Sequence, residues 1–246
     1  MKSSPTTGRL IGPAPASSAR AVAHGRGPAM SRRQAGAALL AGAALAAMPR
    51  LSRSAVMPNR LLPPPRKTGG MPLMEALAQR RSTREFSERA LPVQLLSDLL
   101  WAAYGINRPS GDRTAPYWRH IMVVDIYAAM ADGVWLYDPR QHALLSHLPD
   151  DIRAQTGLQD FVAGAPLDLV YVAHSDRMHD VSPEDRRLYA SVDTGFIGQN
   201  VYLFCASEGL ATVFRGAVDY AKLGSRMRLD ATTFVTFAQT VGYRKD

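Results

Sequence analysis

At 246 residues the chain has room for one well-buried domain and an appendage, and its 46% hydrophobic residues exclude wholesale disorder. The formal charge of +8 suggests a nucleic-acid binder until its distribution is read: residues 1–70 hold 11 of the 29 Lys and Arg and no acid, leaving 18 basic against 21 acidic residues in 71–246. The folded part is therefore mildly acidic, and neither a phosphate-backbone footprint nor a nucleic-acid partner is expected of it.

Residues 1–29 are rich in Ser, Pro, Ala, Gly and Arg without apolar periodicity, and read as disordered or as an extension upstream of a start at Met30. Residues 30–55 read as a twin-arginine-like signal. Ser31-Arg32-Arg33 precedes an Ala/Leu run from Ala37 to Met48 that is too short to span a bilayer. Ala35 departs from that pattern, which usually has a large apolar residue there. The expected location is periplasmic or otherwise exported, the alternative being cytoplasmic. Residues 56–70, with Pro63-Pro64-Pro65 and Gly69-Gly70, read as a linker, and 71–246 as a single domain.

Within that domain Pro72–Gln79 predicts a short helix. A stronger one is predicted over Pro92–Tyr104, with Val93, Leu96, Leu99, Leu100 and Ala103 near one face and Gly105 ending it. A loop follows over 106–119, then a strand His120–Tyr127, then a hairpin of Val134–Tyr137 and Ala143–Leu145. Leu167–Ala173 reads as a buried strand. Ser182, Pro183, Glu184 and Asp185 start the longest helix, which runs to about Ser207 before Gly209. Gly195 and Gly198 lie inside it at about 1 kcal/mol each relative to Ala, which points to close packing of a helix or ligand there. Thr212–Phe214, a helix near Asp219–Met227 and a strand Phe234–Val241 complete an α+β pattern without βαβ alternation.

Arg80, Arg81 and Arg84 lie within five residues beside Ser82. Guanidinium forks, a hydroxyl and turn N–H groups are what a phosphate dianion needs, although a solvated charged loop has the same composition. Arg80-Arg81-Ser82-Thr83-Arg84-Glu85-Phe86 resembles the opening of the nitroreductase superfamily. Leu100-Trp101-Ala102-Ala103-Tyr104-Gly105-Ile106-Asn107-Arg108 with Arg113-Thr114-Ala115-Pro116 resembles its branch related to SagB-type dehydrogenases. Asp193-Thr194-Gly195-Phe196-Ile197-Gly198-Gln199-Asn200, Glu208-Gly209-Leu210-Ala211-Thr212 and Gln239-Thr240-Val241-Gly242-Tyr243 are similar to that family's central helix, the segment after it and its C-terminal part.

The resemblance implies a nitroreductase-like α+β fold, a central mixed or antiparallel sheet surrounded by helices, in a domain-swapped homodimer with FMN at the subunit interface. Arg80, Arg81 and Ser82 would hold phosphate and ribityl, with Lys245 adding to them. Arg84 would lie near the pyrimidine end of the ring, Arg215-Gly216 near flavin N5, and Gln159 is a weaker ring contact. No catalytic side chain is implied, because the flavin does the chemistry. The implied reaction passes hydride from NAD(P)H to the flavin and electrons on to a nitroaromatic, quinone or similar small acceptor. Three alternatives stand beside it: an exported flavin protein that only relays electrons, a SagB-like oxidase of peptide-derived heterocycles, and a fold that has lost FMN. Tyr117-Trp118 after Thr-Ala-Pro, His120 and Arg244 depart from the family's usual residues.

Other candidates carry little. Cys205 lies in an apolar run and reads as core. His142 and His147, like His174 and His179, are five apart, a spacing that does not share a helical face, so no metal site is expected. No Gly-x-Gly-x-x-Gly indicates a Rossmann nicotinamide site. Asp193 reads as a structural hydrogen-bonding group.

Overall fold

A computed structural model describes residues 57–245. The expected extension (1–29) and signal (30–55) lie outside the described residues. Seven strands form one sheet: β1 (Arg60–Leu61), β2 (Val124–Met130), β3 (Gly133–Asp138), β4 (Ala143–Leu148), β5 (Leu167–His174), β6 (Ala211–Arg215) and β7 (Thr233–Gly242). Their order is β1-β4-β3-β2-β5-β7-β6, and every neighbouring pair is antiparallel. Among the described residues four helices complete the α+β fold: α1 (Leu73–Gln79), α2 (Val93–Tyr104), α3 (Pro183–Ser207) and α4 (Tyr220–Arg226).

The central strand β5 shows why the sheet carries two cores. Successive side chains on a strand point to opposite faces. Leu169 and Tyr171 join a cluster with Leu96, Leu99 and Leu100 of α2 and Ile197 and Val201 of α3. Val170 and Val172 pack on the other face with Leu223 of α4, Val218 and Met227. A strand buried on both faces reads as a continuous apolar run, the signal that Leu167–Ala173 carries in the sequence.

Helix α3 starts as its sequence predicts, with Ser182 Oγ accepting from the Asp185 N–H at 3.1 Å and Pro183 as the first helical residue. Its buried face contains Ala190, Thr194, Ile197, Gly198, Val201 and Cys205. A Cβ at Gly198 would stand 2.6 Å from ring carbons of Phe214, so this glycine lets the helix settle on β6. Gly195 has open space around it. Burial pushes the Cys205 thiol up, as expected of a core cysteine.

Two expectations are corrected. The segment 56–70, read as a linker, is strapped to the domain from residue 57 onward. Its residues 60–61 form the edge strand β1 on β4, Ser97 Oγ and Gln94 Nε2 donate to the carbonyls of Pro63 and Pro64 at 2.6 and 3.0 Å, and Arg66 is bound to the buried Asp98. Prolines lack an N–H but keep a carbonyl, so a Pro-rich strap is held from the acceptor side. The strand predicted from His120 starts at Val124; residues 118–120 form a short 3-10 turn in which Arg119 and His120 both have positive φ, 47° and 58°. Gly105 ends α2 as expected, in an extended conformation with φ −72°.

Candidate functional site

Strand β6 is an edge of the sheet, and the basic segment after α1 meets it at Thr83. Arg80 leaves α1 with φ −54° and ψ 124°, which turns the chain toward β6. The Thr83 N–H then donates to the Thr212 carbonyl at 2.9 Å. Further on, Ser87 N–H donates to Tyr243 O at 2.9 Å, Lys245 N–H to Glu85 O at 3.3 Å, and Phe86 bridges to Arg244. The basic segment is thus zipped to the chain end that follows β7.

This arrangement gathers cations. Arg80 lies over the Tyr202 ring at 5.3 Å, and Ser82 Oγ is 2.7 Å from the Tyr202 hydroxyl. Arg81 lines a cavity of about 210 Å3 with Thr83, Tyr202, Thr212 and Arg244. Arg84 lines another, of about 460 Å3, with Asp160, Phe161 and Lys245. Lys245 was expected beside Arg80–Ser82; it shares its cavity with Arg84, and Arg244 stands with Arg81. None of these five cations makes an ion pair among the described residues. Their charge is directed at solvent or at something bound.

Gln159, Arg215 and Gly216 also meet. Leu158 N–H donates to Ala217 O at 3.0 Å, which lays residues 157–159 against the end of β6. The Arg215 side chain does not reach the surface. It is 3% exposed, its Nη2 is 2.9 Å from Asp168 Oδ1, and its Nε and Nη1 donate to Thr240 Oγ1 and Thr156 O at 3.0 and 2.9 Å. Its expected role beside a flavin is corrected to this extent: the guanidinium is committed to the interior. A Cβ at Gly157 would come within 1.9 Å of Arg215 Nη1, so a glycine there is what admits the guanidinium. Burial raises the Asp168 carboxyl and lowers the Arg215 guanidinium, each opposed by the other's charge. The exposed member of the pair is Gly216, where a Cβ would meet only ordinary contacts of 3.4 Å and more. Beside it, Gln159 Oε1 is a buried acceptor with no donor among the described residues.

The departing residues 117–120 are tied to α3. The Trp118 N–H donates to both oxygens of Asp193 at 3.1 and 3.0 Å, Tyr117 donates to Asp112, and Trp118 stacks on Tyr189. Asp193 is thereby a structural group, its carboxyl pushed up to about 6 by burial and held back by that N–H. His120 occupies a left-handed position, where His, Asn and Asp are the side chains most often tolerated.

Sequence reasoning missed Tyr202, whose hydroxyl joins Ser82 to the Phe214 N–H at 2.9 Å, and Asp168. Nothing local marks Tyr202. Asp168 had a signal: a lone carboxylate inside the apolar run Leu167–Ala173 must find a cation.

The fold and this edge site define an α+β oxidoreductase. Residues 77–243 match the nitroreductase family, and the chain belongs to it. A nitroreductase-like protein of Methanocaldococcus jannaschii is 33% identical over 155 residues, 59% of this chain and 78% of its own. The crystal structure of a nitroreductase-like protein from Ralstonia eutropha JMP134 is 42% identical and superposes with a TM-score of 0.75 over 81% of this chain and 95% of that one. The structure titled NADPH:FMN oxidoreductase from Vibrio harveyi complexed with NAD+ shares the fold at 20% identity, with a TM-score of 0.52, over 71% of this chain and 69% of that one.

Proposed function

We propose that the chain binds FMN along the outer edge of β6 and uses it to pass electrons from NAD(P)H to a small acceptor such as a nitroaromatic or quinone. The observation that carries this reading is the set of five cations, Arg80, Arg81, Arg84, Arg244 and Lys245, that make no ion pair among the described residues and lie where the basic segment meets Thr212 of β6 and the chain end after β7. Arg80, Arg81 and Ser82 would hold the phosphate end, with Arg244 now beside Arg81. Arg84 and Lys245 would set positive charge next to the ring system, where reduction leaves negative charge. Gly216 leaves backbone uncovered for close approach, and Gln159 Oε1 offers an acceptor to a ring N–H. When bound, FMN supplies the hydride and electron chemistry, so the side chains need only orient and tune it.

A homodimer belongs to the same proposal. Leu188, Val192 and Phe196 are 55%, 45% and 44% exposed at i, i+4 and i+8 along α3, beside the open Gly195. A helix face of this kind is apolar without a partner among the described residues. Export by the signal read at residues 30–55 also stays part of the proposal, and it favours the electron-relay reading, since an exported protein meets little free nicotinamide. Anaerobic mixing of the FMN-loaded protein with NADH or NADPH separates the two: bleaching of the flavin band within seconds supports the reductase. Bleaching by dithionite alone would contradict it and leave the relay.

A further inference from the structure

Beside the β3–β4 turn lies a solvent-open cavity of about 440 Å3, lined by Arg113, Asp125, Tyr137, Asp138, Arg140 and Arg177 with apolar walls from Ile121, Leu136 and Leu145. None of the cations beside β6 lines it. Its two carboxylates are already engaged. Asp125 accepts from Arg177 at 3.3 and 3.1 Å and lies 2.7 Å from His174 Nε2. Asp138 caps the turn, accepting from the N–H groups of Arg140 and Gln141 at 2.8 and 3.3 Å and from Gln141 Nε2 at 2.7 Å.

Arg113 is left without a counter-charge. It is 6% exposed, its Nε and Nη1 find no acceptor among the described residues, and its Nη2 meets only Met122 Sδ at 3.0 Å, a weak acceptor. The Arg113 Cζ lies 5.4 Å from the centre of the Tyr104 ring, whose hydroxyl is also buried and has no partner among the described residues. A guanidinium stays charged even when burial lowers its pKa, and an unpaired buried charge is among the costliest arrangements in a protein. At the cavity rim the exposed Arg140 adds a second guanidinium, and its own turn uses only its backbone N–H.

We propose that this cavity is a second ligand site, separate from the β6 edge, for a small organic carboxylate on an apolar body. A carboxylate matches the planar donor array of guanidinium groups. The apolar walls suit the remainder of such a molecule, and the volume is that of a small-ligand pocket.

The test uses 4-bromobenzoate as probe and 4-bromobenzamide as its neutral counterpart, on the purified FMN-loaded full chain. Anomalous scattering from co-crystals locates the bromine, and calorimetry measures affinity in the wild type, Arg113→Gln and Arg140→Gln. The expected result is bromine in this cavity, affinity at least tenfold weaker in each variant, and no bromobenzamide there. Bromine found only over the flavin or nowhere, equal binding of the amide, or unchanged affinity in the variants overturns the proposal. If Arg113→Gln does not fold, Arg140→Gln decides alone, because Arg140 is exposed and its backbone contact survives the substitution.

Discussion

Two buried carboxylates do different work in this chain. Asp168 faces a guanidinium, while Asp193 faces a single backbone N–H. Removing Arg215 strands Asp168 at 0% exposure. Arg215→Met is expected to cost about 3–5 kcal/mol in urea unfolding; a loss under 1 kcal/mol would show that the pair is not coupled as described. Asp193 predicts a pH effect. Its folded pKa of about 6 lies above the unfolded value of 3.8, so the stability linked to its protonated form is complete below about pH 4 and lost as pH rises through 6. Asp193→Asn keeps an acceptor for the Trp118 N–H and removes the charge. The variant's Tm relative to wild type should therefore rise between pH 4 and pH 7, by no more than about 3 kcal/mol in stability terms. A difference independent of pH would refute that assignment.

Among the elements, α3 separates two glycines that look alike in the sequence. Gly198→Ala drives a methyl into Phe214, and overpacking of this kind costs about 1–3 kcal/mol. Gly195 carries no such constraint among the described residues. Guanidinium denaturation of the two alanine variants checks this, and equal effects would contradict the packing described. Helix and strand positions were legible because apolar periodicity, Ser182 capping and the Gly punctuation are local signals. The 57–70 strap was not legible, since its partners Ser97, Asp98 and Leu144 lie more than thirty residues away and a Pro-rich segment carries no periodicity of its own. The start of β2 was misread because Ile121 and Val123 are β-branched and Met122 is apolar, as in a strand, while the turn that holds Arg119 and His120 left-handed is anchored at the Trp118 N–H by Asp193, far along the chain.

For the whole molecule, the basic segment Arg80–Phe86 could be read from the sequence as a phosphate loop or as a solvated surface. The family resemblance brought Lys245 to this segment, but the sequence could not tell that the segment meets β6 at Thr212, that Arg244 stands with Arg81, or that Lys245 shares its cavity with Arg84. The α3 face has a consequence at the same scale. Val192→Asp with Phe196→Asp is expected to give a monomer in sedimentation equilibrium that no longer retains FMN; a dimeric, flavin-bound double variant would contradict the proposed interface. The central claim rests on flavin binding by the edge site, and a fluorescence titration of the flavin-stripped protein with FMN tests it most directly. The expected result is one FMN per chain, a higher Tm with FMN present, and affinity on the order of tenfold to a hundredfold weaker in Arg80→Ala. A protein that neither binds FMN nor gains stability from it, or an Arg80→Ala variant with wild-type affinity, would contradict the account.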